Sequence, residues 1–291
     1  MTGMWCSEDK SMFHAMAKFL STSNPGCAVA LVNYRLTTPE TPDINFPDHI
    51  LDVYSALTFL AQNKQNAPYD AVNMVLAGHS VGAWMLLAAM MQSDPASTKR
   101  ALQIPVLDAH VRACFRTLIL VDGIYDIAES LKEYPGYADY YTKAILQKGL
   151  EASVFMGLGC NAWIWAEQAM RTNVILLHSP EDELLSYAQP CILLQRLAHL
   201  GATEQHSVTI PAPVQMHNPQ NQIACWYAGK RTGSDAALVA QIYGPQVHGV
   251  PGRVQVDLTS LSGTHDGALH TEVFWTVLQR IAAQDSIHEA L

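Results

Sequence analysis

The chain has 291 residues, 49% of them hydrophobic, which is enough to bury the core of one large α/β domain. The formal net charge is -9 at pH 7, and the 17 lysines and arginines form no basic block, so the sequence argues against a nucleic-acid partner. No cationic start leads into an apolar run at the N-terminus, and the longest apolar stretch is far too short to span a bilayer. We therefore expect no membrane association.

The six cysteines lie far apart along the chain and include no C-x-x-C pair. Such spacing is typical of thiols in a reducing compartment, and neither a disulfide framework nor a zinc site is indicated. We therefore expect a cytoplasmic protein with no structural metal and no cofactor.

Strand and helix patterns alternate in the first part of the chain. Residues 28–34 (AVALVNY) form a short apolar run of the kind found in buried parallel strands. Residues 46–62 carry apolar side chains on one face, which predicts a helix, and Pro47 suits its first turn. A second strand is predicted at 72–77 and a second helix at 81–91.

The alternation continues towards the C-terminus with three more strands and two more helices. The first of these helices contains Pro190, which should kink or split it. Because strands that alternate with helices need crossover connections, the sequence predicts an α/β fold with a mainly parallel sheet and helices on both faces. The further strands are predicted at 117–122, 174–179 and 253–258, and the helices at 182–201 and 271–283.

Residues 207–252 interrupt this alternation. Pro, Gly, Gln and Asn accumulate there, with a short apolar patch at 236–243. We interpret the segment as a loop-rich insertion between a helix and the last strand, within a single domain that covers residues 1–291.

The stretch Gly78-His79-Ser80-Val81-Gly82 matches G-x-S-x-G, the pattern of a nucleophile elbow. A predicted strand precedes it and a predicted helix follows, which would place the Ser80 hydroxyl at the C-terminal end of the strand. The alternative is a glycine-rich turn that holds an inert serine. The context favours Ser80 as a nucleophile.

A serine nucleophile needs a base, and a histidine base needs a carboxylate that fixes its tautomer. In folds with this elbow the acid follows the serine in the chain, and the histidine comes last. The loop after the strand at 174–179 offers Asp182, with Glu181 and Glu183 as rivals. Asp182 could instead serve as the N-cap of the following helix.

Two histidines follow the last predicted strand and are candidates for the base. His265 lies in a Gly-x-His-Asp turn directly after the strand, whereas His270 adjoins the final helix and could simply pack there. We prefer His265. Structural roles are the simpler interpretation for four other histidines, which are His14, His79, His178 and His199.

Several segments resemble known families. LVNYRLTTPETPDINFPDHILDVYSAL is similar to a segment of the hormone-sensitive-lipase-like α/β-hydrolases. LILVDGIYDIAESLKEYPGY, LLHSPEDELLSYAQ and LSGTHD resemble segments of the fungal kynurenine formamidases. The likeness runs over residues 5–207 and again from 253 to the end.

This resemblance implies an α/β-hydrolase fold with Ser80 as nucleophile, Asp182 as acid and His265 as base. His265 is selected because only that register aligns the final helix without a gap. The implied reaction is hydrolysis of N-formyl-L-kynurenine to formate and L-kynurenine. A homodimer is a possible oligomeric state. The Val81 N–H and the Gly3 N–H would hold the oxyanion.

The chain departs from the family near its start. Family members carry a histidine-glycine-glycine-x-tryptophan loop after a central strand, whereas residues 1–5 keep only Gly3 and Trp5. The insertion at 207–252 is also foreign to the family. We therefore expect a chain without the N-terminal strands, poorly soluble or weakly active as a 291-residue protein.

Three aromatic residues, Trp84, Tyr125 and Trp163, are candidates to stack on the substrate ring, with a place in the core as the alternative. Two other functions use the same fold: a general short-chain carboxylesterase, and an inactive binding or relic protein.

Overall fold

The computed structural model describes residues 4–63, 69–93, 106–145, 163–165, 172–190, 192–193, 239–242, 254–257 and 261–287. Its centre is a five-stranded sheet with the strand order β1-β3-β5-β7-β6. The first four of these strands run parallel, and β6 pairs antiparallel with β7 at one edge. The strands are β1 (Met74–His79), β3 (Phe115–Val121), β5 (Asn173–Leu177), β6 (Val239–Ile242) and β7 (Val254–Asp257).

A second, two-stranded antiparallel sheet lies outside this sheet and joins β2 (Met91–Ser93) to β4 (Trp163–Trp165). The described α-helices are α1 (His14–Ser23), α2 (Asp48–Gln62), α3 (Val81–Met90), α4 (Ala109–Arg112), α5 (Ile127–Glu133), α6 (Ala138–Ala144) and α7 (Glu272–Ile287).

Apolar side chains alternate between the two faces of the central strands. In β3, Leu118 and Leu120 join the apolar cluster of α2 and α3, whereas Ile119 and Val121 join the cluster that contains Phe274 of α7. Successive side chains of a strand point to opposite faces, so both faces of the sheet are covered. The expected α/β-hydrolase architecture, with helices on both faces, is confirmed.

Helix α3 connects the sheet to the core. All ten of its residues are buried, so it is apolar on every side and not amphipathic. This buried helix begins directly after Ser80 and holds the elbow against the sheet.

Four of the five predicted strands are confirmed with shifts of a few residues, and the helices predicted at 46–62, 81–91 and 271–283 are confirmed as α2, α3 and α7. The strand predicted at 28–34 is wrong, because these residues pair with no strand in the described part of the chain. An apolar run becomes a strand only where a neighbour supplies backbone hydrogen bonds. Among the described residues no strand precedes β1, which lies at the edge of the sheet.

The helix predicted at 182–201 begins later than expected. Its described helical residues are 188–190 and 192–193, so Pro190 lies in the first turn, where its missing N–H needs no partner. Residues 182–187 instead form turns, in which the Asp182 side chain accepts the N–H groups of Leu184 and Leu185.

The apolar patch at 236–243 supplies β6, a strand that the sequence interpretation missed. The rest of the insertion at 207–252 lies outside the described residues, and the single-domain interpretation stays a prediction. Within the described part of the chain, no helix has the length and apolarity required to cross a bilayer.

Candidate active site

The G-x-S-x-G stretch forms a sharp turn from β1 into α3. Ser80 has φ 53° and ψ -120°, a left-handed conformation that is rare outside glycine and is typical of strained functional turns. A Cβ on Gly78 would lie 2.5 Å from the carbonyl oxygen of Gly82, so the turn requires glycine there. The Ser80 N–H donates to the carbonyl of Val121 in β3 at 2.9 Å, which ties the elbow to the neighbouring strand.

Val81 is the first residue of α3. The first N–H groups of a helix have no partner within the helix, so they can donate to an anion. Gly3, the other residue predicted to bind the oxyanion, lies outside the described residues.

Asp182 follows β5, and its side chain is fully buried. Its Oδ2 lies 2.8 Å from Nδ1 of His265, and its Oδ1 accepts the N–H groups of Leu184 and Leu185, each at 2.8 Å. One carboxylate therefore closes the local turn and contacts the imidazole. The alternative role as N-cap of the following helix is wrong, because the described residues of that helix begin at 188.

The two rival carboxylates bind the histidine loop through its backbone. Glu181 Oε2 accepts the N–H of Gly263 at 3.1 Å, and Glu183 Oε2 accepts the N–H of His265 at 2.9 Å. The hydroxyl of Ser179 donates to the carbonyl of Gly263 at 2.6 Å. Three consecutive acidic residues thus hold one loop, and only the middle one faces the imidazole ring.

His265 is buried and lies against the elbow. Its ring centroid is 4.3 Å from that of His79, the last residue of β1, and His79 Nε2 lies 3.0 Å from the His265 carbonyl oxygen. Because a carbonyl oxygen only accepts, Nε2 of His79 carries the proton of this bond. Burial lowers the pKa of His79 well below its usual range, so this ring is neutral.

The pKa of His265 is raised above its ordinary value. Burial alone would lower this pKa, but the hydrogen bond to Asp182 and the charges of Asp182, Asp122 and Asp266 outweigh burial. A histidine in this environment is a stronger base than one in water.

The structure brings His265 to Asp182 and places His270 elsewhere. His270 is exposed in a 3-10 turn, Gly267–His270, and its ring stacks on Phe13 with centroids 5.7 Å apart. It packs beside the final helix, as the alternative interpretation of the sequence expected.

Two of the three predicted ring-stacking residues lie in the core. Trp84 packs against Trp5 and Phe46, and Tyr125 is fully buried. Trp163 lies in β4. Contacts of these three residues with a substrate stay predictions.

Sequence reasoning missed Asp122, a buried residue at the end of β3, and gave His178, a buried residue at the end of β5, only a structural role. Asp122 Oδ1 accepts the N–H of Ser179 at 2.7 Å, and His178 Nδ1 lies 3.3 Å from the same oxygen without the alignment of a hydrogen bond. An aspartate directly after a buried strand was the available signal, because parallel strands end at the same edge of a sheet.

Among the residues that the structure describes, two groups of side chains could hold a cation by distance alone. One is His79, His265 and Asp266, the other is Asp122, Asp182 and His265, and within each group one potential ligand atom per residue lies within 4.8 Å of the others. Both need His265, whose Nδ1 already contacts Asp182. In the second group, a metal bound by Asp182 and His265 would compete with the hydrogen bond between them.

A family model described as BD-FAE matches residues 2–197, which is more than half of the chain. The chain belongs to the BD-FAE family. This BD-FAE protein is also similar to fungal proteins described as kynurenine formamidase. The match with the Meyerozyma guilliermondii protein has 31% identity and covers 60% of this chain and 64% of the relative.

The Saccharomyces cerevisiae relative is 30% identical over 62% of this chain and 65% of its own length, and the Scheffersomyces stipitis relative is 27% identical over 64% and 70%. The chain thus spans slightly less than two thirds of the Meyerozyma and Saccharomyces relatives.

Solved structures support the fold of this BD-FAE protein. A truncated carbohydrate esterase from gut microbiota matches with a TM-score of 0.60 and 12% identity, over 98% of this chain and 84% of that one. Carboxyl esterase 2 from Tuber melanosporum matches with a TM-score of 0.53 and 14% identity, over 98% and 75%. At these identities the likeness establishes the α/β-hydrolase fold.

Proposed function

We propose that this BD-FAE protein is a serine hydrolase that converts N-formyl-L-kynurenine to L-kynurenine and formate. The observation that carries the proposal is the buried Asp182–His265 pair, 2.8 Å apart, packed against the elbow that holds Ser80. The substrate comes from the fungal relatives, which are described as kynurenine formamidase.

In the first half of the proposed reaction, His265 takes the proton of the Ser80 hydroxyl as its oxygen attacks the formyl carbon. Asp182 holds Nδ1 of the ring and stabilises the imidazolium that forms. The carbonyl oxygen becomes an oxyanion held by the Val81 N–H and the Gly3 N–H. The C–N bond then breaks, and the arylamine leaves with the proton from His265.

In the second half, water attacks the formyl-enzyme and gives its proton to His265. The Ser80 oxygen leaves the tetrahedral intermediate and takes that proton back, which releases formate and restores the resting state. The aromatic ring of the substrate would contact Trp84, Tyr125 or Trp163. No step needs a metal or cofactor.

A short acyl ester could react through the same groups, because its carbonyl carbon is attacked in the same way and only the acyl and leaving groups differ from those of the formamide. A general carboxylesterase is therefore the alternative, and an inactive protein of the same fold is the third. A cytoplasmic location, in line with the free thiols of Cys6, Cys27 and Cys114, and a homodimer belong to the same proposal.

The test compares the chain with its Ser80→Ala variant on N-formyl-L-kynurenine and on p-nitrophenyl acetate. We expect deformylation to be the faster reaction and the variant to lose at least about a thousandfold in turnover, because no other group forms the covalent intermediate. Faster turnover of the ester, with little of the formamide, would identify an esterase. Absence of turnover and of serine labelling by a fluorophosphonate would identify an inactive protein.

A further inference from the structure

Asp122 is a buried carboxylate beside the proposed catalytic pair, and the mechanism above assigns it no role. It follows β3 directly and has φ 42°, in the left-handed region that a non-glycine residue seldom adopts. Its side chain has no exposed surface. A charged group is rarely buried in this way without a partner for its charge.

The two oxygens of Asp122 have different surroundings. Oδ1 accepts the N–H of Ser179 at 2.7 Å. Oδ2 is buried and has no hydrogen-bond partner among the described residues. One oxygen of Asp122, one of Asp182 and one ring nitrogen of His265 lie within 4.8 Å of one another. Two carboxylates therefore share the buried space beside a single imidazole.

The groups around Asp122 compensate its charge only in part. Burial is the largest cause that raises its pKa, and the charges of Asp182 and Glu183 raise it further, whereas the Ser179 N–H and the charge of His265 lower it; together they bring the pKa of Asp122 to about 7. Burial lowers the pKa of His178 to about 4, so this neighbour is neutral. The phenols of Tyr125 and Tyr187 also lie close and are neutral.

We propose that Asp122 is a positioning residue that holds a proton beside the Asp182–His265 pair, so that a single carboxylate charge faces the imidazole. This inference rests on the proposed serine mechanism. With Asp182 as the one negative charge, the imidazolium that forms after deprotonation of Ser80 is balanced and can still protonate the leaving amine. A second negative charge, on an ionised Asp122, would keep the proton on His265. The fraction of His265 in its neutral form, which acts as the base, would then be smaller.

The test measures the rate at which a fluorophosphonate labels Ser80 between pH 5 and pH 9. In the native chain the labelling rate should rise over a broader pH range than the ionisation of a single group would give, because Asp122 and His265 titrate as a coupled pair. Asp122→Asn should give a single ionisation with its midpoint lower by about one pH unit, because in the native chain Asp122 loses its proton in the same pH range and its charge then keeps the proton on His265, whereas Asn cannot ionise. Asp139→Asn, an exposed change on α6, is the matched control and should follow the native profile. Identical profiles for the native chain and Asp122→Asn would overturn the proposal.

A second measurement uses the native chain and so does not depend on whether the variant folds. Infrared spectra with isotope-labelled aspartate should show the carbonyl stretch of a protonated aspartate at pH 6 that disappears by pH 9. Aspartate labelling separates this signal from Glu8, whose pKa burial and Asp266 also raise to about 7. A spectrum at pH 6 without a protonated aspartate would contradict the proposal.

Labelling also separates this inference from the proposed function, because a fluorophosphonate reacts with an activated serine whatever the natural substrate is. A chain that shows the predicted labelling profile but does not deformylate N-formyl-L-kynurenine would refute the substrate and support the role of Asp122.

Discussion

Two regions of this BD-FAE protein, both without regular strand structure, are held in different ways. The acid–base region joins the turn at 179–183 to the turn at 263–266 through hydrogen bonds that three carboxylates accept and one hydroxyl donates. The N-terminal segment, residues 4–47, contains α1, which packs on α7 through Leu20 and Phe19, and a stretch around Trp5 that is held by aromatic packing. Directed hydrogen bonds thus hold the polar turns, whereas burial of large side chains holds the stretch around Trp5, which has no strand partner among the described residues.

Trp5 is the anchor of the N-terminal segment. It is 1% exposed and packs between Trp84 and Tyr141, and its carbonyl accepts the N–H of Thr37 at 2.9 Å. The Thr37 hydroxyl in turn lies 2.9 Å from Nε2 of His49 in α2. These contacts attach residues of the segment to the main core without any strand pairing.

The largest effect is expected where the acid–base region contacts the elbow. His265→Ala should lower kcat by at least about a thousandfold, because the proposed nucleophile loses its base. His270→Ala should change kcat little, since this exposed ring only stacks on Phe13. Steady-state kinetics of both variants decide the matter, and a reversed order would assign the base to His270.

The N-terminal segment should respond in stability. Trp5→Ala removes a fully buried indole, so we expect the free energy of unfolding to fall by about 3 to 5 kcal/mol. Met12→Ala, in the same segment but 49% exposed, should change this free energy by less than about 0.5 kcal/mol. Denaturant unfolding measures both variants, and equal small losses would show that the segment is not anchored by Trp5.

Asp122 gives the acid–base region a pH dependence of stability. Its pKa is raised from the ordinary 3.8 to about 7 in the folded chain, so between these values the folded state keeps a proton that the unfolded state has lost. The contribution of Asp122 to the free energy of unfolding is therefore highest below about pH 4. It falls by at most about 4 kcal/mol as the pH rises to about 7, and it stays constant at higher pH. Between pH 4 and pH 7, the free energy of unfolding of Asp122→Asn should decrease less than that of the native chain. Denaturant titrations at each pH measure this free energy. An equal dependence on pH in the variant and the native chain would argue against the raised pKa.

The smallest effect is expected for the carboxylates that hold the histidine loop by its backbone. Glu183→Ala removes the acceptor of the His265 N–H, so we expect kcat to fall by about tenfold, the cost of one lost charge-assisted hydrogen bond. Glu181→Ala should cost less, because Ser179 still holds Gly263. If either variant matched Asp182→Asn in its loss of kcat, the division of roles among the three acidic residues would be wrong.

Elements with local signals can be predicted from the sequence. The two glycines that flank Ser80 predict the elbow. Apolar periodicity predicts α2, α3, α7 and four parallel strands, because the spacing of apolar residues decides which face is buried. The place of Asp182 at a strand end followed from the order of strands and helices.

Features that depend on partners distant in the chain become clear from the folded structure. Residues 28–34 have the composition of a strand but pair with no strand in the described part of the chain, whereas β6, in a segment rich in loop residues, pairs with β7. The choice among three adjacent acidic residues depends on which side chain faces a histidine 83 positions away, and sequence spacing does not encode that direction. Asp122 meets the same histidine for a similar reason, since the parallel sheet brings the ends of β3, β5 and β7 to one edge.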